Sequence, residues 1–97
     1  INSGTLTANS ISMALGKNWI NNGGQFVSGT GTVGFLGTTS QSIFKSTGEI
    51  FNTIEFSNAG VKTMLSAFTA SNVLINTGSN LDVNTTNNLV TIRQRVI

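Results

Sequence analysis

Apolar and polar positions alternate in short bursts along this chain, and polar turns separate the bursts. Alternation is clear in Ile11-Ser12-Met13-Ala14-Leu15, Gly31-Thr32-Val33-Gly34-Phe35, Asn52-Thr53-Ile54-Glu55-Phe56, Ser71-Asn72-Val73-Leu74-Ile75 and Leu81-Asp82-Val83. Successive side chains of a strand leave opposite faces, so each burst predicts a short strand with one face inward. Between them lie Asn22-Gly23-Gly24, Gly29-Thr30-Gly31, Thr47-Gly48, Asn58-Ala59-Gly60 and Thr77-Gly78-Ser79-Asn80. Glycine and asparagine reach the positive φ that tight turns require.

Laid under one another, the bursts share a register. Apolar-x-apolar triplets begin at Ile11, Val33, Ile54 and Val73, and a related pair falls at Val90 and Ile92. The interval is about twenty residues, the mark of stacked units that bury their apolar faces against one another. Phe26, Ile43, Leu65 and Val83 form a second series at about half that period, as a coil with more than one inward strand would produce. The pattern predicts an all-β, parallel β-solenoid of about four to five coils, roughly 20 to 25 Å tall. Its expected core is Ile11, Val33, Phe35, Ile54, Phe56, Val73, Ile75, Val90 and Ile92. An antiparallel β-sandwich is the alternative, since short strands with frequent turns describe that class too.

Composition narrows the classes. At 97 residues the chain has room for one domain, taken as residues 1–97. Asn, Thr, Ser and Gly dominate, charged residues are 8%, and Cys is absent, so burial and backbone pairing must supply the stability. A 38% hydrophobic share with no Pro argues against disorder. The net charge of +2 rests on Lys17, Lys45, Lys62, Arg93 and Arg95 against Glu49, Glu55 and Asp82. Only Arg93 and Arg95 cluster, which argues against a nucleic-acid partner. No apolar run approaches a membrane span, and the first residues do not read as a signal peptide. The expectation is no membrane insertion, and a mature product or a piece of a longer chain.

Catalytic chemistry finds little to work with. Without His or Cys, the usual base and thiol nucleophile of hydrolytic mechanisms are missing. Paired-carboxylate chemistry would need two of Glu49, Glu55 and Asp82 to face each other. Gly29-x-Gly31-x-x-Gly34 matches a dinucleotide fingerprint by letters, yet no helix is predicted at its last glycine. Asp82-Val83-Asn84 offers two oxygens to calcium without a glycine-rich calcium repeat. Thr5-x-Thr7 and Thr30-x-Thr32 do not continue as an array, and Asn84-Thr85-Thr86 is a glycosylation pattern. Trp19 is expected in the core or as a coil cap, with a sugar platform as the other role. No catalytic residue, metal ligand or cofactor is assigned.

The run from Asn18 to Gly37, with Trp19-x-Asn21-x-Gly23, Phe26 and Gly29-Thr30-Gly31-Thr32-Val33-Gly34-Phe35, followed by Gln41-Ser42-Ile43, resembles a repeat of large bacterial secreted proteins. Phe51-Asn52-Thr53-Ile54-Glu55-Phe56-Ser57-Asn58 and Val73 to Val83 resemble its later coils, and Lys62 to Phe68 is less regular. The resemblance, to tandem β-solenoid repeats of adhesin-like surface proteins, implies a right-handed parallel β-helix. The expected role is a non-enzymatic structural segment or subunit of an extracellular fibre, secreted or on the cell surface. Its expected partners are copies of itself or neighbouring repeats, with a surface glycan as a further candidate. The alternative role is a β-sandwich binding module, either carbohydrate-binding or a pilin-like subunit donating a strand. Stack ends expose unpaired strand edges, and Arg93-x-Arg95 is the visible gatekeeper against unwanted pairing.

Overall fold

The computed structural model describes residues 1–83 in full and 90–96 by their backbone. Among these residues the chain forms strands and turns with no helix, and every strand pair is parallel. Parallel pairing between successive passes of the chain makes a β-solenoid of about four turns and rules out the antiparallel sandwich.

Each turn of the solenoid passes through three walls. The first holds β1 (Thr5–Thr7) against β4 (Gln25–Val27). The second stacks β2 (Ser12–Leu15), β5 (Thr32–Phe35), β7 (Glu49–Phe56), β9 (Phe68–Ile75) and β11 (Val90–Val96) in that order. The third stacks β3 (Trp19–Ile20), β6 (Gln41–Phe44), β8 (Val61–Met64) and β10 (Asn80–Asp82).

A local cause explains why the first two walls are separate strands early and continuous later. In the first two coils a tight turn intervenes, closed by Ile11 N–H donating to Ala8 O (2.9 Å) and Gly31 N–H to Ser28 O (3.0 Å). Asn9 at φ 54° and Gly29 at φ 55° supply the left-handed residue of each turn, and the two turns stack through Thr30 N–H to Asn9 O (2.8 Å). In the third coil Asn52 occupies this place. Its side-chain amide donates to Gly31 O (3.2 Å), capping the turn above while β7 runs on without a break.

The inward columns carry the core. Met13, Val33, Ile54 and Val73 stack in register, as do Leu15, Phe35, Phe56 and Ile75. Trp19, Ile43 and Met64 line the third wall. Aromatic rings join the columns across the interior: Trp19 meets Phe26 edge-on with centroids 4.8 Å apart, and Phe51 meets Phe68 at 5.8 Å. Phe35 stacks on Phe56 at 5.7 Å. Such pairs add to the burial that holds a small core together.

Val33, Phe35, Ile54, Phe56 and Val73 sit in this core as expected. Ile11 does not: it is 59% exposed, because it closes the Ala8–Ile11 turn and β2 begins after it. Ile75 points down an inward column yet is 39% exposed, since the pairing of β11 on β9 reaches only Val96↔Val73. Val90 and Ile92 pair with Phe68 and Ala70, at the start of β9 rather than with the expected Val73 and Ile75, and an irregularity between Ile92 and Arg95 shifts the register so that Arg95 pairs with Asn72. Their side chains lie outside the described residues. In the half-period series Phe26 and Ile43 are buried, whereas Leu65 is exposed and Met64 takes its place. Val83 is exposed as well.

Candidate functional site

The alternation that buries Ile43, Phe51 and Met64 also buries the polar residue two positions before each: Gln41, Glu49 and Lys62. These three side chains are 0%, 2% and 0% exposed, so polar chemistry in this molecule is concentrated inside the solenoid rather than on a cleft. Among the described residues no cavity is enclosed, and no three His, Cys, Asp or Glu side chains converge on a point where a metal could sit.

Glu49 ties two passes of the chain, the first coil to the third. Its Oε2 accepts from Trp19 Nε1 (3.1 Å) and Asn21 Nδ2 (2.8 Å), and its Oε1 from the Ile50 backbone N–H (3.1 Å). Trp19 therefore lies in the core with its indole N–H consumed, and it offers no exposed ring face for a sugar. The arrangement gives a buried carboxylate a donor set without a cation, the condition under which burial of a charge is tolerated.

Gln41 and Lys62 are in-register neighbours on β6 and β8, and both reach the peptide of Gly37. Gly37 N–H donates to Gln41 Oε1 (2.9 Å), while Lys62 Nζ donates to Gly37 O (2.8 Å). Gln41 Nε2 donates onward to Leu15 O (3.0 Å) and Lys17 O (2.6 Å), linking the first coil to the second. Burial lowers the Lys62 ammonium below the ordinary lysine value of 10.5.

The outer surface carries a second polar set. Asn76 Nδ2 donates to Glu55 Oε2 (2.9 Å) and to Ser57 Oγ, and Asn72 Nδ2 donates to Thr53 Oγ1 (3.3 Å) in the coil above. These bonds run along the stack axis. Each fastens one coil to the next, and none converges on a vacant position where a substrate atom could be held.

The remaining sequence candidates are placed apart. Glu49 points inward and Glu55 outward from the same strand, so those two carboxylates do not face each other. Asp82 lies on β10, and its companion Asn84 and the glycosylation pattern Asn84-Thr85-Thr86 lie outside the described residues. The glycines Gly29, Gly31 and Gly34 occupy a turn and strand β5, with no helix to follow. Thr5 is in register with Gln25, so its column holds no second threonine at that level. The Arg93 and Arg95 side chains lie outside the described residues, though Arg95 pairs by backbone with Asn72.

Sequence reading missed Gln41, Glu49 and Lys62 as inward residues because it ranked positions by apolarity. Their spacing two residues ahead of Ile43, Phe51 and Met64 was the available signal. Comparison with protein-family models, with curated proteins and with solved structures returned no match for this chain.

Proposed function

We propose that this chain is a non-enzymatic structural segment or subunit of an extracellular surface fibre or adhesin, continuing end to end with neighbouring repeats or with copies of itself. The observation that carries this reading is the direction of the bonding. Backbone ladders, apolar columns and the Asn–Thr and Asn–Glu bonds all run from coil to coil, which is the pattern of a molecule whose product is length.

Two further features support it. The strands β1 and β2 stand at the outer edge of their walls and offer the parallel pairing that every inner strand already makes, whereas the edge of β3 is partly covered by Ile1, which donates to Ile20 O and accepts from Asn22 N–H. The scarcity of charge and the abundance of Asn, Thr, Ser and Gly suit a polar, non-catalytic exterior outside the cell. No helix among the described residues is long and apolar enough to cross a membrane.

A tandem chain of three copies, imaged by electron microscopy beside the single copy, tests the proposal. Four coil spacings predict that each added copy lengthens a rod of constant width by about 20 Å. Three separate beads joined by flexible links would overturn it.

A further inference from the structure

The third wall holds the feature that the structural role does not use. Lys62 is fully buried on β8, with Gln41 of β6 on one side and Leu81 of β10 on the other. An ammonium carries three donors, and the acceptor that Lys62 Nζ meets is one carbonyl, that of Gly37. Its neighbour Gln41 turns its oxygen to Gly37 N–H and its amide to Leu15 O and Lys17 O, and makes no hydrogen bond to the amine. We propose that Lys62 makes the β6–β8–β10 wall a proton-controlled joint, looser while the amine is charged and tighter once it is neutral.

The charged groups around the joint do not relieve it. Lys17 turns its carbonyl toward Gln41 and is itself exposed. Asp82 follows Leu81 on β10 but is in register with Thr63, on the opposite face of the strand from Lys62. Glu49 is held by Trp19, Asn21 and Ile50. The chain has no His, Cys or Tyr, and the other amine held in this wall, the Ile1 N-terminus, donates to Ile20 O on β3, two strands away from Lys62.

The sign follows from linkage. A base whose folded-state pKa is lowered binds fewer protons folded than unfolded, between its lowered value and 10.5. Stability therefore rises with pH through that window, and the penalty is present in full below it. Burial as the cause of the lowering agrees with the geometry.

The test is urea unfolding of the full chain, Lys62→Met, Lys62→Gln and Lys45→Met from about pH 7 to pH 10.5, with hydrogen exchange at neutral pH. The expected result is a wild-type unfolding constant that falls relative to both Lys62 variants by up to about tenfold per pH unit within the window. Lys45→Met should follow wild type, and the added exchange protection in Lys62→Met should concentrate in residues 61–64 and 80–82. A ratio that stays flat with pH, or protection gained evenly over all walls, overturns the proposal. Loss of folding in both Lys62 variants also overturns it, because the charged amine would then be holding the wall together.

Discussion

Gly60 lies against the backbone of the coil above it, where a β-carbon would come within 2.0 Å of Thr39 O and 2.4 Å of Thr39 C. Backbone cannot step aside as a side-chain tip can, so Gly60→Ala must push two coils apart. Overpacking of this kind costs about 3 kcal/mol. Gly16 provides the contrast, since a β-carbon there meets nothing within 4 Å and its φ is not positive. Gly16→Ala should change stability by about 0.5 kcal/mol or less. Urea unfolding followed by circular dichroism checks both, and equal effects at the two positions would contradict the coil spacing described here. The same scale shows what the sequence could and could not convey. The twenty-residue interval is real, because Met13 lies in register with Val33, Val33 with Ile54 and Ile54 with Val73. In the first coil it starts at Met13 rather than at the expected Ile11, two residues later. A shift of two keeps the same face of a strand, so alternation is blind to it, and only the left-handed turn at Asn9 fixes where β2 starts. At Leu65 the inward position is displaced by one residue, to Met64, which exchanges faces. There the inward series is Lys62, Met64, Ser66 and Phe68, and two of its four members are polar.

Buried polar bonds hold the strands of this molecule alongside the apolar columns, and the Glu49 cluster is the clearest case. Strand β3 spans only Trp19–Ile20, too short to be positioned by its own ladder, and Glu49 on β7 holds it through the indole N–H and the neighbouring Asn21 amide. Glu49→Ala leaves three donors without acceptors: Trp19 Nε1, Asn21 Nδ2 and the Ile50 N–H. The expected loss is about 3 to 5 kcal/mol, with Trp19 fluorescence shifting to the red as water reaches the indole. An unchanged emission maximum in the folded variant would show that packing against Phe26 and Phe51 keeps the indole in place without the Glu49 bond. Element type and order were legible in the sequence because turn residues and alternation are local signals. The buried polar residues were not, since Gln41, Glu49 and Lys62 become inward only when their strands stack on neighbours about twenty residues away.

Across the whole molecule, almost every long-range contact is made to the next coil, and this sets how the chain must fold. Paired residues are separated by 20 positions between β1 and β4, by 24 between β3 and β6, and by 19 between β7 and β9. Against a length of 97 residues the mean separation is about a fifth of the chain, in the range where all-β domains fold in milliseconds to seconds. Among the described residues no strand pairing is a hairpin, so a full coil must close before its first ladder bond is gained, and the loop-closure entropy of roughly twenty residues stands in the barrier each time. The chain contains no proline, which removes the uncatalysed isomerisation that slows many domains to tens of seconds. Trp19, the single tryptophan, reports on the joining of the first and third coils through Glu49. Stopped-flow refolding monitored at Trp19 should therefore show a main phase between about a millisecond and a few seconds and no phase in the range of tens of seconds. Completion in microseconds would mean that local hairpin-like pairing drives folding, contrary to the parallel coil-on-coil order. A dominant phase of minutes in a chain without proline or cysteine would instead point to mispaired coils, since a slip by one coil preserves the apolar columns and must be undone before the native register can form.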